Sequence, residues 1–547
     1  VRSSLCGVLA AAFATSVAIG SSGESGAPSP VSSERLRAHV RFLADDLLEG
    51  RETGSRGFEI AALYVATAFE SMGLRPALPG GFLQPVPLRR ATLVPLRSAF
   101  VLSAGGDRRR MELGRDAWLL PSLSETELDA SGPVVFAGYG VSAPRRRHDD
   151  YAGVDVKGKV VAVLSGAPET LPADERAYYG SAQVKEEEAV RRGSVGILYL
   201  TLGDEAGQAA SGTPRRAPRD PMDWLDPQGR PGREAGRPRI RSRLGVEGTR
   251  TLFRMASRSL DEALEGRPQG RGRSFDLGVK ALFHVESRPS EVSSSNVLAV
   301  LPGSDPSRDH EYVVVTAHLD HLGIGPPRDG DSVYNGAYDN ATGSAGLVEI
   351  ARSLASLPRA PARPVLFAAL TGEEEGLLGA EYLARNPPPS GELVADLNID
   401  MFLTLFPLRG VAAVGADHST LGSVAREAAA QEDLELTADP LPEEVLFIRS
   451  DHYAFARRGI PSLMLACGVP SADPAVDGAR MLRDWLKTAY HTPKDDVGQA
   501  IDYAAAARIA DVYARMVVAL ADAPSRPSWL PGDFFGEAFS ARSRADP

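Results

Sequence analysis

Residues 312–321 read YVVVTAHLDH, an apolar, mostly β-branched run that stops at His318 and Asp320. Such residues favour strands, and a run with no polar alternation reads as a strand buried on both faces. Outward from it, NVLAVL (296–301), PVLFAAL (364–370) and ADLNID (395–400) have the same texture. Helical patterns fall between and after them, over 342–357, just after Gly376, near 420–431 and over 500–521. The last places Ile501, Ala505, Ile509, Val512, Met516 and Leu520 on one stripe. Strands alternating with helices predict an α/β fold, a mixed, mostly parallel sheet flanked by helices.

The chain has 547 residues, more than one compact core commonly accommodates. Residues 1–30 read as a signal peptide and linker, with Arg2 before an apolar run over 5–20. The expected location is therefore secreted or periplasmic. Residues 31–118 read as the lead-in of the main domain. There Leu36, Val40, Leu43 and Leu47 share a helical face, GRETGSRG (50–57) interrupts, and a second helix runs to Met72. From 119 to 285 the texture changes to short strand-like runs around one helix, a β-rich insertion. Residues 286–524 carry the main α/β pattern, and 525–547 read as a loose tail.

The formal charge of −11 argues against a nucleic-acid partner. Within the insertion, 213–243 holds nine arginines but only one aromatic, Trp224, and reads as a solvated loop. After signal removal no stretch has the roughly 18 apolar residues of a membrane helix. Cys467 is then the only thiol, a buried small hydrophobe by its apolar setting.

The chemistry lies at strand ends, where open α/β sheets place their sites. His318 and Asp320 follow one strand, Glu373 and Glu374 in TGEEEG another, and Asp400 closes a third. Asp339 lies in NGAYDNATG and His491 in YHTPKDD. Singly, each has an ordinary role: a packed histidine, a turn aspartate, a solvated charge run. Together, so many carboxylates at one sheet edge would repel unless neutralised. Zinc takes such nitrogen and oxygen donors. Three ligand carboxylates against two divalent ions leave one positive charge, which a hydroxide cancels, so the arithmetic favours two metals, with Asp339 able to bridge. Neighbouring side chains at a strand end diverge, which splits Glu373 and Glu374 into one ligand and one general base. Asp320 is placed to accept the other N–H of the His318 imidazole and fix its tautomer.

The segments TAHLDHLG, NGAYDNATG, TGEEEGLLGAEYL, LNIDM and YHTPKD, with SDHYAFARRGIPS, resemble in order those of the co-catalytic zinc aminopeptidases, which include secreted bacterial leucine-type enzymes. The resemblance implies two zinc ions and peptide substrates. It assigns His318 and Asp400 to one zinc, Glu374 and His491 to the other, Asp339 to the bridge and Glu373 to the base. It also implies a cis Asp339–Asn340 peptide. Tyr338 stands where some relatives carry an acid, so altered surroundings are expected there without loss of metal. Asp451 and His452 border the substrate pocket by the same analogy, or else cap and pack a helix. In the insertion, GPVVFAGYG, YAGVDVKGKVVAVLSG and GSVGILYL are similar to the protease-associated domain, which implies a part in shaping the substrate cleft. Carboxypeptidase action, single-zinc glutaminyl cyclisation and a receptor-like binding role stay open as alternatives on this fold.

Overall fold

The computed structural model describes residues 26–202, 219–389, 391–439, 441 and 444–540. The expected signal segment therefore lies almost wholly outside the described residues, as do 213–218 of the arginine-rich stretch.

The main sheet is built from β1 (Leu83–Leu93), the second half of β2 (Phe275–Leu301), β3 (Glu311–His318), β4 (Val365–Leu370), β5 (Glu392–Asn398), β6 (Gly410–Val414), β7 (Glu435–Thr437) and β8 (Ser462–Cys467). In space the order is β1, β2, β4, β3, β5, β8, β6, β7. β4, β3, β5 and β8 run parallel, β2 is antiparallel to β4, and β6 is antiparallel to β8 but parallel to β7. β3 and β4 are buried along almost their whole length because helices cover both faces. On one face lie α1 (Ser33–Leu43), α2 (Arg56–Ser71), α3 (Gly343–Ala355), α5 (Leu421–Gln431) and α6 (Tyr503–Asp522), packed on Val313, Val315 and Phe367. On the other, α4 (Leu378–Arg385) packs Ala380 and Leu383 against Val314, Leu366 and Ala368.

Capping residues set the helix starts. Ser32, Ser55 and Asp502 each accept a backbone N–H in the first turn of α1, α2 and α6. α6 therefore begins at Tyr503, with Ile501 ahead of it, and buries the rest of the expected stripe. α1 ends at Leu43, so Leu47 leaves the apolar face and is exposed in a separate turn.

The insertion has its own mixed sheet and core. Parallel strands Val160–Leu164, Gly196–Leu200 and Ile240–Leu244 continue from Glu127–Phe136, which pairs antiparallel with the first half of β2. That single long strand joins the two sheets. The insertion also starts earlier than 119: Ala99–Ala104 and Ala117–Leu119 already pair into its sheet.

Two expected surface segments are docked instead. Residues after 219 return to the main sheet, where Met222–Trp224 forms an edge strand on β1. The tail is a strap through residue 540, with 541–547 outside the described residues. Phe535 and Phe539 are fully buried among Tyr178 and Tyr179 of the insertion and Phe447 and Tyr453 of the main domain, and Trp529 donates its indole N–H to Gly459 O (2.8 Å). Among the described residues no helix is long and apolar enough to cross a membrane.

Candidate metal centre

β3, β4 and β5 end level with one another and deliver His318, Glu373–Glu374 and Asp400 to one edge of the sheet. Asp339 enters ahead of α3, and His491 from the loop before α6. All five expected donors meet. His318 Nε2 lies 3.3 Å from Asp400 Oδ1 and 3.4 Å from Asp339 Oδ1. His491 Nε2 lies 3.1 Å from Asp339 Oδ2 and 3.3 Å from Glu374 Oε1. The two oxygens of Asp339 thus face two different donor pairs. Ligand atoms about 2.0–2.1 Å from a tetrahedral zinc lie about 3.3–3.4 Å from one another. The donor spacings match that edge length, and the ligand atoms of His318, Asp339 and Asp400, like those of His321, Asp339 and Glu374, all lie within 4.8 Å of one another. The residues fit a pair of metal ions.

The loop that aims Asp339 is fixed on every side. The Asp339–Asn340 peptide is cis. The Asp495 carboxylate accepts the amides of Tyr338 (2.9 Å) and Asp339 (3.0 Å). Asn340 spans the strand ends, donating to Ile399 O (2.9 Å) and accepting from Met401 N (3.1 Å). Gly336 has φ 61°, and a Cβ there would sit 2.0 Å from Asp339 O, so only glycine fits. The Tyr338 hydroxyl bonds the carbonyls of Thr404 and Ala500 and its ring meets Trp485, which directs this departure from the family pattern toward the Trp485 side.

Asp320 does not act as the sequence predicts. The atom facing His318 Nδ1 is its backbone carbonyl (3.1 Å), while its carboxylate accepts the amides of Glu373 and Glu374 (both 3.2 Å) and the Thr53 hydroxyl (3.0 Å). It positions the glutamate turn, not the imidazole.

Two neighbours of the site were missed in the sequence. His321 is buried, with Nδ1 2.8 Å from Glu374 Oε1 and 3.8 Å from Asp339 Oδ2, distances that bracket the ligand spacing without matching it. Arg51 is buried beneath the site, its guanidinium bonded to the carbonyls of Leu43, Leu319, Asn335 and Gly336. Burial lowers its pKa to about 10 against the pull of Asp339 and Asp495. The repeated acidic and histidine letters of HLDH were the available hint for His321.

Electrostatics follow from crowding. Burial alone would lower both imidazoles, but Glu373 and Asp400 hold His318 well above its ordinary value, and Glu374 and Asp339 hold His491 at about 9. Burial opposes ionisation of Glu374, yet His491 and His321 keep it well below the usual range. Burial pushes Glu373 well above that range, with Asp400 and Glu374 adding to the effect. Without metal, protons on the histidines balance the carboxylates, and divalent cations would take their place.

A cleft of about 420 Å³ opens over Asp339, Glu373, Glu374, Asp400 and His491. One wall is apolar, with Leu403, Ile448, Met464, Leu482 and Leu486, and Ser181, Gln183 and Arg233 of the insertion line another side. Tyr490 stacks on the His491 ring at 3.8 Å. Asp451 and His452 are fully buried and lie outside the cleft lining; burial raises the first to about 8 and lowers the second to about 4. Cys467 is buried, its thiol pushed up to about 12, which leaves it an inert part of the wall.

Residues 296–517 match the model of Peptidase family M28. The chain is 29% identical over 271 residues to a probable zinc metalloprotease of Leptosphaeria maculans, covering 44% of this chain and 61% of that one. It is 39% identical over 160 residues to a probable zinc metalloprotease of Pyrenophora teres f. teres, covering 29% and 32%. The chain thus spans about three fifths of the first relative and a third of the second. In structure it is similar to an aminopeptidase from Aneurinibacillus sp. strain AM-1, with a TM-score of 0.50, 17% identity and coverage of 92% of this chain and 97% of that one, which establishes a shared fold. The segment matched by the Peptidase family M28 model, 296–517, holds every donor of the candidate centre.

Proposed function

We propose that the chain is a zinc-dependent exopeptidase, an aminopeptidase that releases N-terminal residues from peptides. The observation that carries this reading is the split of Asp339, whose Oδ1 faces His318 and whose Oδ2 faces His491. In it, His318 and Asp400 would hold one zinc ion and Glu374 and His491 a second, with Asp339 available to both. When bound, such ions supply Lewis acidity, polarising a carbonyl and lowering the pKa of water.

The chain's own residues do the rest. Glu373 borders the cleft, and its carboxylate takes a proton from the attacking water and gives it to the departing nitrogen. The raised proton affinity that burial confers suits a group that must hold a proton between two steps. Asp320 orients that glutamate through its backbone amide. The apolar wall offers a seat for an apolar side chain, and the buried edge of the sheet excludes bulk water.

The choice of the amino end draws support from the name of the similar Aneurinibacillus structure. A carboxypeptidase would need a cation for the terminal carboxylate; the cleft arginines Arg233 and Arg449 are ion-paired with Glu381 and Glu444. We further propose that the insertion is a protease-associated domain shaping the cleft and that the protein is exported, which N-terminal sequencing of the mature protein would test.

Purified protein assayed with free and N-acetylated forms of one peptide, with and without chelator, tests the reading. Cleavage of the free form alone, abolished by chelator and restored by zinc, is expected. Cleavage that survives acetylation removes the aminopeptidase assignment, and cleavage that survives chelation removes the metal.

A further inference from the structure

The turn Glu373–Gly376 carries both the candidate base and a candidate ligand, and it is gripped from two directions. On its amide side stands Asp320. On its carbonyl side the partners come from the insertion: Arg219 Nη1 donates to Glu374 O (3.0 Å) and Arg233 Nη2 to Gly376 O (2.7 Å). The Arg219 guanidinium also lies 3.8 Å from the Glu374 carboxylate.

Arg233 is built into place. Its side chain is 11% exposed and ion-paired with Glu381 on α4, the helix that follows the turn. Its backbone N–H donates to the buried Asp223 carboxylate (3.0 Å). Asp223 belongs to the edge strand Met222–Trp224, registered on β1 as Met222 opposite Arg90 and Trp224 opposite Leu88. Trp224 packs with Leu378 and Tyr382 of α4, and Gly232 lies so close under its ring that a Cβ would meet it at 2.1 Å. The excursion is therefore keyed to the main sheet by strand pairing, by an aromatic anchor and by a buried ion pair, and two of its arginines, Arg219 and Arg233, end on the carbonyls of the Glu373–Gly376 turn. A solvated loop has no reason to be held in this way.

We propose that residues 219–237 brace the active centre: Arg233, with Arg219, are positioning residues that fix the Glu373–Gly376 turn through its carbonyls, so that the insertion is part of the catalytic apparatus. Asp320 and the arginines hold opposite polar edges of one turn, so losing either lets Glu373 and Glu374 drift together. The consequence for catalysis rests on the metallopeptidase reading; the bracing itself does not.

The test uses the full-length chain with Arg233→Met, Arg233→Lys, Arg219→Met and Glu381→Gln. Hydrogen exchange of residues 371–378 reads the turn, zinc release to a chelator reads the ligand, and kcat with KM reads the base. Groups that orient a metal ligand typically change affinity or activity by about 10–100-fold. Arg233→Met is expected to speed exchange in the turn, release zinc about tenfold faster and lower kcat by ~10–100-fold with KM nearly unchanged. Arg233→Lys should recover part of each, and Arg219→Met should show the same pattern more weakly. Glu381→Gln removes the ion pair that seats Arg233 and should show the Arg233→Met pattern in weaker form. Exchange, zinc release and kcat all within twofold of the parent in both Arg→Met variants would overturn the proposal, even with a lowered Tm. If the parent cleaves no peptide, the functional reading fails, while exchange and zinc release still decide whether the turn is braced.

Discussion

The strand-end donors and the arginine-rich excursion serve the same turn from opposite sides, yet they are made of different kinds of sequence. The donors follow β-branched runs whose burial is dictated by the sheet, so His318, Glu374 and Asp400 land where any such strand would deliver them. The excursion over 219–237 has no periodic pattern. Its position depends on one tryptophan, one buried aspartate and a short edge strand. Local strand chemistry can fix which residues meet at a site, while the residues that hold them there come from distant segments with no local signature.

The largest effect expected within this comparison is on the donor side. Glu373→Gln removes the base and spares the ligands, so turnover should fall about 10²–10⁴-fold with zinc content unchanged. Loss of zinc in that variant would show that the two glutamates have exchanged roles. On the excursion side, Trp224→Ala deletes the anchor of the edge strand. A buried aromatic removed in this way costs about 3–5 kcal/mol, seen as a lower denaturant midpoint, and an unchanged midpoint would mean the edge strand carries no stability.

Asp320→Asn separates the two accounts of that residue. A carboxylate serving the Glu373–Glu374 amides should, on loss of its charge, weaken zinc binding by ~10–100-fold and accelerate exchange of those amides. If it served the His318 tautomer, exchange at the turn would be unaltered.

The smallest expected effect is graded with pH. In the metal-free chain His318 is held well above its ordinary value and His491 at about 9, so both are protonated near neutrality and must lose protons to bind zinc. Zinc uptake at pH 7 should release protons, and affinity should rise by about tenfold per pH unit for each proton released, the His491 contribution levelling off above about 9. The same raised values make the protonated histidines stabilising in the metal-free fold. That contribution is complete below the unfolded imidazole pKa of about 6.5, and the His491 share is lost as pH rises through about 9. Metal-free protein should therefore lose stability over this window while zinc-loaded protein does not, as paired thermal melts would read.

Legibility follows the same division. The α/β sheet was readable because β3 and β4 are buried on both faces and carry no polar alternation. Among the five candidate donors, His318, Glu374 and Asp400 stood out because they follow strands and Asp339 because it sits in a glycine-flanked turn, while His491 was singled out within the loop segment YHTPKDD. His321 was missed because, next to Asp320, it looks like one more strand-end residue until Glu374 folds against it. The role of Asp320 was misread because sequence spacing does not reveal whether a carbonyl or a carboxylate faces the imidazole. Arg219 and Arg233 were misread because proline- and glycine-rich surroundings resemble solvent-exposed chain, and nothing local shows that Glu374 meets Arg219 or that Asp223 and Glu381 meet Arg233. The tail was misread for the same reason: Phe535 and Phe539 acquire a core only when the insertion and main domain lie side by side.

The most direct test of the central claim is anomalous diffraction at the zinc edge from crystals grown with zinc. The account predicts two peaks about 3.5–4 Å apart, one beside His318 and Asp400 and the other beside Glu374 and His491, with an oxygen of Asp339 on each. A single peak, or zinc away from Asp339, would contradict it.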